Sequence, residues 1–167
     1  MTSENWKHFS TIQIYCGKLL IGDFSYLSSE NDCLLVNLNL GKYDLFTQSV
    51  TINGLKTISR VRILLQGCNG KLDELLGTTW TDVGKTGICD FDRYHEAFKR
   101  LDVEHNWKHY MDTAYFDNNE GVLNLDNNTG ASMYYFPSGE GDGEYNVFSL
   151  TENGKLVGAE IEFIKNS

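Results

Sequence analysis

The sequence predicts an α+β fold that is mainly β: an antiparallel sheet or β-sandwich with one or two helices packed on it. Short runs that alternate apolar and polar residues fill both halves of the chain, two Asn-Gly pairs separate such runs, and one central segment has helical periodicity. Strand-rich, helical and strand-rich segments in this order are typical of the α+β class. The length of 167 residues predicts a single domain, 1–167.

The strands expected in the first half of the chain lie at 12–15, 19–24, 33–40 and 43–65. Cys16-Gly17 separates the first two of them and predicts an opening hairpin. Asn53-Gly54 supplies the two residues with positive φ that a tight hairpin turn needs, so we expect 43–65 to form an antiparallel pair. One face of that pair is expected to point into the core, through Val50, Ile52, Ile58 and Val61.

Helical segments are expected in the middle of the chain. Apolar residues spaced by 3, 4 and 3 positions predict an amphipathic helix that starts after Asp90, which stands at the N-cap; they are Phe91, Tyr94, Phe98 and Leu101. A weaker pattern predicts a second helix over about 104–116. KLDELL, residues 71–76, predicts one or two helical turns that end at Gly77.

Strands return from Gly121 onward, and a final hairpin turns at Asn153-Gly154. In its last strand the sequence alternates acidic and apolar residues: Glu160 and Glu162 against Ile161 and Phe163. This alternation predicts one buried face and one solvated, acidic face.

Charge and composition exclude several classes of function. The chain has 23 acidic residues against 14 Lys and Arg, a net charge of −9, so we expect it to bind neither nucleic acid nor anionic membranes. No apolar run approaches the roughly 20 residues that a bilayer needs, and no secretion signal opens the sequence, which predicts a cytoplasmic protein. The four cysteines form no CxxC pair and are interpreted as reduced thiols; no cofactor is expected.

Two clusters of glycine and acidic residues are the most informative segments, at 82–90 and 139–145. Gly84-Lys85-Thr86 resembles the end of a phosphate-binding loop, but Thr79 stands where that motif needs its first glycine. Glycine permits positive φ, and aspartate bonds backbone amides in its own turn. Both clusters are therefore predicted to be tight bends.

The aspartates of these clusters have two interpretations. In one, Asp82, Asp90 and Asp142 converge on a hard cation such as Ca²⁺ or act as a general acid and base. In the other, which we favour, each is structural: Asp90 caps the helix, Asp142 makes an Asx-type turn and Asp82 braces a bend.

The two clusters together resemble a bacterial family of undetermined function with a V-D-x-G-x-x-G-I-x-D segment and a C-terminal S-G-x-G-D-G-x-Y corner. The matching residues are Asp82, Gly84, Gly87, Ile88 and Asp90, then Ser138, Gly139, Gly141, Asp142, Gly143 and Tyr145. Thr81 departs from the valine of the pattern. The resemblance implies a compact β-rich fold and an accessory or immunity-type protein found near toxins and mobile elements.

These observations lead to three hypotheses of function. The first is a cytoplasmic immunity or inhibitor protein that covers a basic surface of a toxin or effector, with opposite charge aiding encounter. Its expected partner-binding residues are Glu140, Asp142, Glu144, Tyr145, Glu160 and Glu162. The second is a ligand-binding or divalent-cation-binding domain, or a hydrolase, that uses Asp82, Asp90 and Asp142. The third is a structural subunit with a large exposed apolar patch.

Overall fold

A computed structural model describes residues 2–25, 27, 32–100 and 103–165. In chain order, the described strands and helices are β1 (Thr2–Ser3), β2 (Lys7–Ile14), β3 (Lys18–Asp23), β4 (Leu34–Asn37), β5 (Gly41–Ile52), β6 (Leu55–Leu65), β7 (Lys71–Thr81), β8 (Lys85–Asp90), α1 (Phe91–Arg100), α2 (Val103–Phe116), β9 (Gly121–Asp126), β10 (Ala131–Pro137), β11 (Gly143–Glu152) and β12 (Lys155–Glu162).

The strands form two antiparallel sheets. The large sheet has the order β1-β5-β6-β12-β11-β7, with β2 also paired to β5, and the small sheet has the order β4-β3-β8-β10-β9. One apolar cluster contains side chains from both sheets, among them Leu45, Ile63, Ile88 and Phe136. A second cluster contains side chains from the small sheet and from both helices, among them Cys89, Tyr94, Ala114 and Met133.

The predicted fold class is confirmed, because the protein is a mainly-β α+β structure with two antiparallel sheets and two helices. Since the small sheet contributes side chains to both apolar clusters, it lies between the large sheet and the helices. Strands buried on both faces read as continuous apolar runs rather than alternating ones. The burial of every β8 residue fits that position.

Both Asn-Gly hairpins are confirmed. Asn53 and Gly54 have φ of 51° and 80°, and Asn153 and Gly154 have φ of 51° and 76°. Two consecutive residues with positive φ give the turn whose twist matches that of the flanking strands. These turns connect β5 to β6 and β11 to β12. The two hairpins supply four strands of the large sheet.

The predicted opening hairpin is wrong. β2 pairs with β5 in the large sheet, whereas β3 pairs with β4 and β8 in the small one. The Cys16-Gly17 turn is thus the point where the chain passes from one sheet to the other. Asp90 stabilises this turn by accepting hydrogen bonds from the backbone N–H groups of Tyr15 (2.8 Å) and Cys16 (3.4 Å).

The predicted helical turns at 71–76 are also wrong, because this segment is the first half of strand β7. All six residues are exposed, so no apolar helical face is buried there. Pairing with β11 decides the conformation, and the register shifts near Phe148 and Leu150. Tertiary pairing overrides the weak local preference for helix.

Both central helices are confirmed. α1 begins after Asp90, whose Oδ1 accepts a hydrogen bond from the backbone N–H of Arg93 at 3.0 Å, so the predicted N-cap is present. Tyr94 and Ala97 are buried against the small sheet. Leu101, expected on the same face, lies outside the described residues. Within the described part of the chain, neither helix has the length and apolar character required to span a bilayer.

Lys85 links the small sheet to the end of α2. Its side chain is buried, and its Nζ donates hydrogen bonds to the carbonyl oxygens of Ala114, Tyr115 (2.7 Å) and Asp117. Carbonyl groups in the last turn of a helix lack partners within the helix, so a cation there satisfies them. Burial lowers the pKa of Lys85, while the charge of Asp117 acts in the opposite direction.

We expect Lys85→Met to destabilise the protein by about 2 kcal/mol, since it leaves one buried and two partly buried carbonyl groups without this donor. Urea denaturation followed by circular dichroism measures the change in the free energy of unfolding. Lys155→Met, at the exposed first residue of β12, is the matched control and should change it little. Equal stability of the two variants would show that Lys85 does not support α2.

Candidate functional site: the acidic end

The glycine-rich corner at residues 138–142 connects β10 of the small sheet to β11 of the large sheet. Gly139 and Gly141 have φ of 53° and 118°, which side chains rarely tolerate. A Cβ at Gly139 would also lie 2.9 Å from the Cβ of Phe163. The tight bend is therefore possible because glycine occupies these positions.

Tyr145 stabilises the corner from beneath. Its ring is buried and makes an edge-on contact with Phe163, with 5.0 Å between the ring centroids. Its hydroxyl hydrogen-bonds to the carbonyl oxygens of Ser138 (3.0 Å) and Gly141. Burial raises the pKa of Tyr145, and the charges of Asp142 and Glu140 raise it further. We therefore assign Tyr145 a structural role beneath the acidic side chains.

Ser138 joins the corner to the turn before β8. It is buried, its N–H donates to the carbonyl oxygen of Gly84 at 2.9 Å, and its hydroxyl lies 2.8 Å from that of Thr86. On the other side, the hydroxyl of Thr57 donates to the carbonyl oxygen of Gly139 at 2.5 Å. Three separate elements thus hold this bend.

The strand register brings the two glycine and aspartate clusters together. Thr81 at the end of β7 lies opposite Gly143 at the start of β11, so Asp82 follows one residue and Asp142 precedes the other. A Cβ on Gly84 would lie 3.9 Å from Oδ1 of Asp142. The two clusters form one surface although 60 residues separate Asp82 from Asp142 in the sequence.

We call this surface the acidic end and define it by its four exposed carboxylates: Asp82, Glu140, Asp142 and Glu144. Within the described ranges, every ion pair involves other carboxylates, so none of these four has an ion-pair partner there. Two lysines lie nearby: Lys165 lines a groove with Glu140 and Glu144, and Lys56 lines another with Glu140. Four exposed carboxylates against these two lysines leave an excess of negative charge at the acidic end, which favours a negative potential outside it.

A groove of about 380 Å³ continues the acidic end toward the last strand. Glu140, Glu144 and Glu162 line it together with the aromatic side chains of Tyr145 and Phe163. Five of the six predicted partner-binding residues, namely Glu140, Asp142, Glu144, Tyr145 and Glu162, therefore lie at the acidic end or along this groove.

The sixth predicted residue, Glu160, requires a correction. Its side chain is 1% exposed and forms ion pairs with Arg60 (2.8 Å) and Arg62 (2.6 Å), and Arg60 also pairs with Glu162 at 2.9 Å. The outer face of β12 is therefore a network of paired charges, and the prediction of a solvated acidic face is wrong. The pattern of one strand does not show that arginines of β6 lie directly opposite Glu160 and Glu162.

The alternative interpretation, in which Asp82, Asp90 and Asp142 converge, is wrong as well. Asp90 ends β8, whereas Asp82 precedes the start of that strand, and six residues of strand span about 16 Å. Asp90 instead caps α1 and binds the Cys16-Gly17 turn. Among the residues that the structure describes, no group of three His, Cys, Asp or Glu side chains is arranged to hold a metal ion.

Sequence reasoning missed Asp23, the carboxylate that organises the turn at Asp82. Asp23 is fully buried, and its Oδ2 accepts hydrogen bonds from the backbone N–H groups of Asp82 (2.6 Å) and Val83 (3.0 Å) and from the hydroxyl of Thr81 (3.1 Å). Its Oδ1 accepts from the N–H and hydroxyl of Ser25. The bend is braced by Asp23 and not by Asp82. The available signal in the sequence was an aspartate that ends an apolar strand and is followed two positions later by Ser25, the spacing of an Asx turn.

Comparison with protein-family models, with curated proteins and with solved structures gives no match for this chain.

Proposed function

We propose that this protein binds and masks a basic surface of another protein, as an immunity or inhibitor protein does for a toxin or effector. One observation carries the proposal: the four exposed carboxylates of the acidic end have no ion-pair partner among the described residues. Opposite potentials speed the encounter of two proteins and orient their docking.

The rigidity of the acidic end supports the proposal. Tyr145 and Ser138 donate hydrogen bonds to carbonyl groups of its two bends, and Asp23 accepts one from the backbone N–H of Asp82, which together restrain its backbone. A pre-organised surface loses little conformational freedom on binding, so more of the interaction energy remains as affinity. The groove beside Tyr145 and Phe163 adds an apolar wall for the stem of a lysine or arginine side chain of the partner.

The ion pairs of β12 and the position of Asp82 change which residues are expected to contact the partner. Arginines already neutralise Glu160 and Glu162, so these residues contribute little net charge to a partner. Asp82, which the sequence analysis considered as a brace of the bend or as a cation ligand, is included in the proposed binding surface because strand register brings it beside Asp142. The partner is thus expected to contact the two bends and the groove, with Glu160 outside the contact.

Affinity capture with the triple variant Glu140→Lys, Asp142→Lys and Glu144→Lys tests the proposal. We expect a basic protein to be retained from the native host by the wild type and lost by this variant, because the same partner then meets like charge. Mass spectrometry identifies what is retained. Each altered residue is exposed, so thermal unfolding should stay close to that of the wild type.

The matched control reverses three exposed aspartates elsewhere: Asp32→Lys, Asp92→Lys and Asp112→Lys. It changes the net charge by the same amount and should keep the partner. Loss of the partner in both triple variants would show that net charge alone governs capture. Retention in both would show that the acidic end is not the binding surface.

A further inference from the structure

The first half of β7 is a free edge of the large sheet. β7 is the last strand in the sheet order, and within the described part of the chain its strand partner is β11. Residues 71–76 are all exposed. Backbone groups on the outer side of such an edge are available to pair with another extended chain.

This edge also exposes apolar side chains. Leu72, Leu75 and Leu76 are 46%, 56% and 38% exposed. The register places Leu75 opposite Phe148 and Leu72 opposite Leu150, so the two residues between these leucines in β7 oppose a single residue of β11. Because Phe148 and Leu150 are two positions apart in a strand, both leucines lie on the same face of the sheet. Clustered exposed leucines beside an unpaired edge are typical of an interaction site.

The charge of the edge indicates which kind of chain could pair with it. The exposed edge carries Asp73 and Glu74 against Lys71, and each chain has a net charge of −9, so two copies of the chain would repel each other overall. The same strand leads at its other end into Asp82 of the acidic end. An extended segment that lies along β7 would reach the acidic end without leaving the sheet.

We propose that an extended basic segment of the partner adds to the large sheet as a strand beside residues 71–76. Its backbone pairs with the edge of β7, its apolar side chains cover Leu72 and Leu75, and its Lys or Arg side chains face the acidic residues of the edge and of the acidic end. This mode of binding, strand addition to an exposed edge, draws its affinity from main-chain hydrogen bonds. The inference rests on the proposed function, which supplies the basic partner.

Two synthetic peptides test the inference on the wild-type protein. The first is a capped peptide of about ten residues that alternates lysine and valine, a length that matches a strand. The second has the same side chains, but alternate backbone amides are N-methylated and cannot donate hydrogen bonds. Calorimetric titration is expected to give at least about tenfold tighter binding for the first peptide. Equal affinities, or no binding of the first peptide, would overturn the inference.

Variants locate the binding edge. Leu75→Ser is expected to weaken binding of the first peptide, whereas Leu40→Ser, a control at a leucine that is 66% exposed outside β7, should not. Hydrogen exchange should show new protection of residues 71–76 when the peptide is added. Protection elsewhere without protection of this segment would contradict the inference. Sedimentation should show a monomer; a dimer that Leu75→Ser dissociates would assign the edge to a second copy and overturn it.

The same titration separates this inference from the proposed function. If the reversal of Glu140, Asp142 and Glu144 abolishes binding while N-methylation has no effect, strand addition fails and the acidic end remains the binding surface. If N-methylation abolishes binding while the reversal has no effect, the edge binds the peptide and the role of the acidic end fails.

Discussion

Asp23→Ala is expected to destabilise the protein by about 3 kcal/mol or more, because hydrogen bonds to a charged group contribute about 1.5–3 kcal/mol each. Asp23 is fully buried and accepts five hydrogen bonds, of which two come from the backbone of Asp82 and Val83. Alanine leaves these donors without an acceptor. Chemical denaturation measures the change in the free energy of unfolding.

The consequence for function is also measurable. The turn after β7 carries Asp82, so loosening it should weaken partner capture even at temperatures where the variant is folded. Asp23→Asn keeps the shape of the side chain but removes its charge. One of the two acceptor oxygens becomes an NH₂ group, a donor that then faces the donors of the turn. We expect it to be nearly as destabilised as Asp23→Ala. If Asp23→Ala lowered the free energy of unfolding by less than about 0.5 kcal/mol, the size expected for an ordinary surface substitution, the role assigned to Asp23 would be contradicted.

Glu160→Ala is expected to cost about 3–5 kcal/mol, the range for removing one partner of a buried ion pair. Glu160 is buried between Arg60 and Arg62, which are 17% and 22% exposed. Without the carboxylate, two partly buried guanidinium groups repel each other. Arg62 also lies over the ring of Trp6, 4.5 Å from its centroid, so the packing of the segment between β1 and β2 should loosen.

Glu4→Ala is the control for this prediction, because Glu4 pairs with Lys56 where both side chains are about half exposed (48% and 61%). Exposed pairs contribute about 0–1 kcal/mol, so this variant should stay close to wild type. Thermal and urea unfolding of both variants give the comparison. Similar stabilities for the two would show that the Glu160 network does not hold the sheet. Partner capture by folded Glu160→Ala should persist, since the acidic end does not include Glu160.

Local signals predicted the parts of the fold that local chemistry decides. The Asn-Gly turns set two hairpins through positive φ, and the Asp90 cap together with the spacing of Phe91, Tyr94 and Phe98 set the start and face of α1. These features depend on residues within one turn or one helix. Patterns of that range are visible in a single sequence.

Long-range pairing decided what the sequence patterns predicted wrongly. Residues 71–76 form a strand because β11 pairs with them, and β2 joins the large sheet because β5 offers its edge. Glu160 is buried because Arg60 and Arg62, about 100 positions earlier, lie beside it. Such partners cannot be identified from the alternation of one strand.

The candidate site divides in the same way. The sequence by itself determined the bends at 82–84 and 138–142, where Gly84, Gly139 and Gly141 have positive φ. The rest of the first cluster, 85–90, is strand β8 and not part of the predicted bend. Only the tertiary structure decided that Asp82 joins Asp142, that Asp90 lies at the far end of β8, and that Asp23 braces the turn. The physical reason is that strand register, set by pairing and by burial of one face, fixes which distant residues become neighbours.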